Sequence, residues 1–104
     1  GMAIAAAKCL AKTAEKRGIN PDDIVPKMTE WEVFPSEARD VAMQAIKDGV
    51  ARVKMTAKEV YKKAYDDISE SRKLTDTLMA KGFIRKPPIS MLEKALKKAI
   101  AQAK

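Results

Sequence analysis

Two short segments of the chain carry residue types that could do chemistry. Tyr61 precedes Lys62 and Lys63, and a tyrosine and a lysine can form an acid–base pair when both reach one substrate. Asp66 and Asp67 are adjacent carboxylates of the kind that bind a divalent cation. Adjacent residues of a helix point about 100° apart, so neither segment aims its groups at one point. We therefore interpret Tyr61 as a core residue beside exposed lysines, and the aspartates as part of a solvated face.

The chain has no histidine and a single cysteine, Cys9. Histidine is the commonest general base and metal ligand, and one thiol cannot form an intrachain disulfide or a thiolate zinc cluster. Because Cys9 lies among alanines, we expect it to be a small buried hydrophobic residue. The sequence predicts no catalytic residue, no metal site and no cofactor site, and its cysteine content fits a reducing cytoplasm.

Basic residues are concentrated at the carboxyl end. The 104 residues have a formal net charge of +7, and residues 83–104 carry six basic and one acidic side chain, or +5. A basic amphipathic helix can lie on an anionic membrane or neutralise nucleic-acid phosphates. This helix has no aromatic residue, so we favour a solvated lysine face over an apolar stripe packed on the other helices. The residues that would bind an anionic surface are Arg85, Lys86, Lys94, Lys97, Lys98 and Lys104.

Helical signals recur along the chain. Gly18 and Gly82 are natural helix stops, Thr56 and Glu59 form a capping box, and Ser90 begins a second one. Asn20 precedes a proline and two acids, which is typical of a helix start. No useful stretch alternates polar and apolar residues, so the sequence predicts an all-α fold without a sheet. The predicted helices are 2–17, 35–48, 57–81 and 91–103, with a one-turn helix near 21–24.

The connection at residues 26–34 is unusually apolar for a loop. Its large side chains must pack onto the helices or a partner, because a loop rich in such residues does not remain in solvent. With only five aromatic residues, the chain has a thin core, and we predict a homodimer. The predicted docking residues combine this loop with the apolar side of the next helix: Trp31, Val33, Phe34, Val41, Ala45 and Ile46.

The same region carries a family resemblance. The segments Ile24-Val25-Pro26, Trp31-Glu32-Val33-Phe34 and Gly49-Val50-Ala51-Arg52 resemble the carboxyl-terminal helical segment of prokaryotic NAD-dependent malic enzymes, the decarboxylating malate oxidoreductases. The similarity covers about residues 3–84, and the lysine-rich helix after Pro87 matches no part of the family pattern. We therefore predict a malic-enzyme-like helical domain at 1–84 and a basic amphipathic helix at 85–104.

Malic enzymes convert malate to pyruvate and carbon dioxide with NAD and a divalent metal. The resemblance transfers none of the family's catalytic residues to this chain. It also transfers no dinucleotide-binding loop, because Gly18, Gly49 and Gly82 are too far apart to form one. It implies a non-catalytic module: an assembly or regulatory piece, or a detached subunit that docks onto a malic-enzyme-like chain. The alternative is a small basic protein that binds an anionic surface, nucleic acid or membrane. Salt distinguishes the two, because only charge-driven binding weakens steeply with ionic strength.

Overall fold

The computed structural model describes residues 1–103. In this part of the chain there are four helices: α1 (Met2–Arg17), α2 (Val33–Lys47), α3 (Ala57–Ala80) and α4 (Ile89–Gln102). The described residues form no strand beyond an isolated bridge between Asn20 and Asp23. The all-α prediction is confirmed, and each predicted helix bound lies within about two residues of the observed one.

Helix α1 packs against α2 through one broad face. Two rows of residues spaced four apart form this face, as expected for neighbours on a helix surface. Cys9 and Ala14 are buried in it, and the amino end of α2 contributes Val33 and the fully buried Pro35. The half-buried members of the α1 face are Ala5, Ala6, Leu10 and Thr13. Small side chains therefore let the two helices approach closely.

The predicted one-turn helix at 21–24 is wrong, because this segment is a hydrogen-bonded turn. The amide of Asp22 donates to the Asn20 side-chain oxygen at 3.0 Å, and the amide of Asp23 donates to the Asn20 carbonyl at 3.0 Å. The capping hydrogen bond thus forms without a helix to cap. Pro26 explains the difference, since proline disfavours helical backbone at the residue before it and has no N–H to continue the ladder.

Of the other three helix starts, that of α3 has the predicted cap, whereas those of α2 and α4 differ from the prediction. The first turn of α2 includes Pro35, which the first turn tolerates because its amides need no helical partner. Helix α4 begins at Ile89, so the predicted capping box at Ser90 does not form, and the Pro88 carbonyl accepts the amides of Met91 and Leu92 at 3.0 Å. The box at Thr56 does form: its amide and hydroxyl donate to the Glu59 carboxylate at 2.7 and 2.8 Å.

These hydrogen bonds lower the pKa of Glu59. A carboxylate whose pKa is lower in the folded state stabilises that state above its ordinary pKa, and the contribution disappears as the pH falls through the lowered value. We expect Thr56→Ala to raise the pKa of Glu59 toward its ordinary value, as measured by NMR titration of the carboxyl carbon. Thr77→Ala, which removes a hydroxyl that donates to the Lys73 carbonyl within α3, should leave that titration unchanged.

The chain forms two compact units, one from Gly1 to Ser71 and the other beginning at Arg72. The first unit holds the α1–α2 pair, the apolar loop and the amino-terminal part of α3. The second holds the rest of α3, the segment with Pro87 and Pro88, and α4. The predicted domain boundary between residues 84 and 85 stays a prediction.

Candidate docking surfaces

Arg17, the last residue of α1, fixes the loop that follows it. Its guanidinium makes an ion pair with Glu30, makes a second one with Asp23 at 2.8 Å, and donates to the Val25 carbonyl at 3.2 Å. The Glu30 carboxylate also accepts the Lys27 amide at 3.0 Å. One planar cation with several donors thus holds three points of the loop in a single arrangement.

The far end of this loop is attached to α3 by aromatic contacts. The Trp31 ring lies 5.4 Å from the Tyr65 ring between centroids, and Tyr65 stacks on Tyr61 at 6.3 Å. Both tyrosines remain partly open to solvent, so the interpretation of Tyr61 as a core residue is wrong: its exposed fraction is 37%.

The predicted docking residues all lie in the first unit. Val33 is buried, and the other members are half-buried by the chain itself: Trp31, Phe34, Val41, Ala45 and Ile46. Their role in docking stays a prediction, and each side chain is at most partly exposed.

Large apolar side chains are most exposed at other places. In the loop, Ile24 and Val25 are exposed, and Met28 is 83% exposed. In the second unit, α4 carries an apolar stripe at the helical spacing i, i+3, i+7 and i+11, in which each side chain is between 52 and 61% exposed. We define this α4 stripe as Ile89, Leu92, Leu96 and Ile100. The stripe does not pack on α3 within this unit, and its packing on the helices of the first unit stays a prediction.

The predicted anion-binding residues lie away from this stripe. Lys94, Lys97 and Lys98 are exposed on the other side of α4, and Arg85 and Lys86 are exposed in the segment before it. The sixth member, Lys104, lies outside the described residues. Glu93 is the one acidic residue in the described part of α4 and lies beside the stripe, so the basic face of this helix is the one turned away from the stripe.

The paired carboxylates form ion pairs along α3. Lys62 pairs with Asp66, and Lys63 lies 3.8 Å from Asp67, each at the spacing i, i+4. The hydrogen bond to Asp66 raises the pKa of Lys62. These are ordinary surface pairs, as the interpretation of a solvated face requires. Within residues 1–103, no three His, Cys, Asp or Glu side chains come together to hold a metal ion.

Cys9 is buried, as expected, but it has charged neighbours. Arg39 donates to Asp40 at 2.7 Å, and this hydrogen bond lowers the pKa of Asp40 and raises that of Arg39. Burial raises the pKa of the Cys9 thiol, and the adjacent Asp40 carboxylate raises it further. A thiol held protonated in this way is a poor nucleophile.

A crystal structure of the malic enzyme of Entamoeba histolytica matches this fold with a TM-score of 0.83 and 51% sequence identity. The match covers 97% of this chain and 21% of that enzyme. This chain is a malic-enzyme-like segment. No protein-family model and no curated protein sequence matches it. The predicted likeness to malic enzyme is confirmed, whereas its assignment to the carboxyl end stays a prediction.

The malic-enzyme match extends further than the predicted range of 3–84. Coverage of 97% of 104 residues leaves too few residues outside it to omit α4, so the lysine-rich helix has a counterpart. The malic-enzyme-like segment nevertheless spans only 21% of the length of the matched enzyme. None of the four helices is both long and apolar enough to cross a membrane.

Sequence reasoning missed the Arg17 cluster. The sequence does show a basic residue in the last turn of α1, followed in the loop by two adjacent acids and then by a third acid. That signal gives no distances, because the pairing depends on how the loop folds back toward the helix end. The cluster determines where Ile24, Val25 and Met28 are presented.

Proposed function

We propose that this chain is a non-catalytic helical module that docks onto the rest of a malic-enzyme-like protein, on the same polypeptide or a separate one. The main support is its uncovered apolar surface. The buried hydrophobic residues are Cys9, Ala14 and Val33, whereas many larger apolar side chains are exposed. A folded protein that works alone rarely leaves contiguous apolar surface of this kind in water.

The 21% share of the matched enzyme supports the remainder of such a protein as the occupant of that surface. A segment that is half identical in sequence to part of a larger protein keeps side chains that met the remainder of that protein. The remainder would hold NAD and the divalent metal and carry out the malate chemistry. The module would contribute docking area and would work with it in the cytoplasm.

Two exposed regions are the best docking surfaces. The α4 stripe offers aliphatic side chains along one helix, the arrangement by which an amphipathic helix enters an apolar groove. The loop residues Ile24, Val25 and Met28 offer a second patch in the first unit. Trp31 and Phe34 are half-buried, so they would contribute smaller contacts.

The test uses the Entamoeba malic enzyme shortened by its matching segment. This shortened enzyme is mixed with the chain, and the mass of the product is measured by light scattering on a sizing column. We expect a complex of the two chains at micromolar concentration in 0.5 M salt, because apolar docking resists screening. Separate elution of the two chains, with each of them folded, would contradict the proposal.

Variants of α4 locate the contact. Replacing Leu92, Leu96 and Ile100 by serine should weaken the complex by at least about a hundredfold, because each buried aliphatic side chain contributes about 1.5–3 kcal/mol. The matched control replaces Lys94, Lys97 and Lys98 by glutamine on the same helix and should change affinity little. A homodimer of the chain alone, unaffected by the shortened enzyme, would instead support our prediction of self-association.

The alternative function is binding to an anionic surface, and the lysine face of α4 favours it. In this case the lysine variant, rather than the serine variant, would lose binding to vesicles of phosphatidylserine and phosphatidylcholine or to duplex DNA. Binding would also fall steeply between 50 and 200 mM salt, roughly a thousandfold or more for DNA if several phosphates are contacted. No loss in the lysine variant would exclude this function.

A further inference from the structure

A groove between α1 and α2 in the first unit is lined by four cationic side chains and one acidic side chain. Lys8, Lys12 and Lys16 lie four residues apart on α1, so they share one side of that helix with a rise of about 6 Å between neighbours. Arg39 contributes a fourth cation from α2, and Asp40 is the one acidic residue of the lining. Asp40 is already neutralised by Arg39, which leaves an excess of three positive charges.

The groove contains two hollows that meet at Lys12 and Asp40. The smaller hollow has a volume of about 150 Å³ and lies beside Cys9, Thr13, Lys16, Ser36 and Arg39. The larger has a volume of about 500 Å³ and lies beside Ile4, Ala5, Lys8 and Gln44. One end is therefore small and rich in donors, and the other is wider and partly apolar.

The donors of the smaller hollow are not used within the described chain. Among residues 1–103, no carboxylate lies within 4 Å of the Lys12 or Lys16 ammonium groups, and the Ser36 hydroxyl has no hydrogen-bond partner. Arg39 uses Nε and Nη2 on Asp40, which leaves Nη1 as a further donor. Thr13 donates to the Cys9 carbonyl at 2.9 Å, so its hydroxyl proton is already used.

This arrangement is unfavourable when the groove is empty. Like charges four residues apart on a helix repel each other, and α1 has two such pairs in succession, with Glu15 as the one acid in this stretch. An anion in the smaller hollow would relieve this repulsion and receive charge-assisted hydrogen bonds from two helices. The smaller hollow, at about 150 Å³, equals the volume of about five water molecules at roughly 30 Å³ each. A tetrahedral oxyanion fits this volume.

We propose that the α1–α2 groove binds a phosphate monoester, with the phosphate in the smaller hollow and the organic part in the larger. Lys12, Lys16, Arg39 and Ser36 donate to the phosphate oxygens. Lys8 and Gln44 face polar groups of the organic part, and Ile4 contacts its carbon atoms. This site is separate from the docking surfaces of the proposed function and does not depend on them.

The test is an NMR titration of the full chain at low salt with inorganic phosphate, glycerol 3-phosphate and glycerol. We expect glycerol 3-phosphate to shift the amide signals of residues 4–16 and 36–44 and to bind more tightly than inorganic phosphate. Glycerol should produce no shift. Equal affinity for both phosphates would remove the organic part from the proposal and leave a free phosphate site, and shifts confined to α4 would overturn the site altogether.

Charge-matched variants separate the groove from general attraction by a basic protein. Lys12→Gln and Lys16→Gln should each weaken binding about five- to tenfold, which corresponds to the loss of one charge-assisted hydrogen bond. Lys58→Gln removes the same charge from an exposed position of α3 and should leave affinity unchanged. An equal loss in all three variants would overturn the proposal, and unchanged circular dichroism of each variant confirms that it is folded.

Discussion

Replacing Ala14 by leucine is expected to lower the free energy of unfolding of the first unit by about 2–3 kcal/mol. Ala14 has an exposed fraction of 0%, and it lies on the face of α1 that packs against α2. Added methylene groups at such a position force the helices apart or drive neighbouring side chains from their preferred rotamers. Urea unfolding followed by Trp31 fluorescence measures the effect, because Trp31 is the only tryptophan and lies in this unit.

Ala11→Leu is the matched control for this substitution. Ala11 is exposed on the same helix, and alanine and leucine have similar helix propensities, so we expect a change within about 0.5 kcal/mol. Equal losses in the two variants would show that α1 responds to volume at any position. In that case the close α1–α2 contact would not be the reason that Ala14→Leu lowers the free energy of unfolding.

The helices could be predicted from sequence because their ends are determined locally. Gly18 and Gly82 adopt positive φ angles of 94° and 78°, a backbone conformation that favours glycine wherever it occurs. The Thr56–Glu59 box needs only residues three apart. The start of α4 differs from the prediction because the Pro88 carbonyl, rather than the Ser90 side chain, accepts amides of the first turn, those of Met91 and Leu92. A side-chain pattern does not reveal such backbone geometry.

The candidate site was less predictable because exposure depends on contacts between distant residues. The apolar loop was expected to offer Trp31 and Phe34 to a partner, yet the chain half-buries both, and Trp31 contacts Tyr65. Met28, in the same loop, is left outside. Composition identifies the apolar loop, but only the fold of the loop decides which of its side chains face solvent.

The α4 stripe is a second case in which the exposure of side chains could not be predicted from the sequence. Its helical spacing was read correctly, and burial against the other helices was the natural expectation for such a stripe. The structure leaves all four side chains exposed, so the periodicity identified an interacting face without identifying its partner. The chain matches only 21% of a larger enzyme, and an apolar face of such a segment can contact a surface that lies outside the segment.

Arg17→Ala is expected to lower the free energy of unfolding of the first unit by about 2 kcal/mol, because it removes several hydrogen bonds from a partly screened site. The arginine holds Asp23, Glu30 and the Val25 carbonyl together. Without it, the two acids face each other without a cation, and the loop loses its attachment to α1. Unfolding in urea, monitored through Trp31, gives the stability, and amide hydrogen exchange at residues 22–30 should become faster.

Two further variants test this explanation. Arg17→Lys keeps the charge but loses the planar fork that reaches several acceptors at once, so it should restore only part of the stability. Arg52→Ala removes the same side chain from an exposed position outside the cluster and should change stability by less than about 0.5 kcal/mol. If Arg17→Lys were as stable as the unaltered chain, charge alone would hold the loop. The position of Ile24, Val25 and Met28 would then not depend on the hydrogen bonds of Arg17, and their presentation to a partner would tolerate any cation at the end of α1.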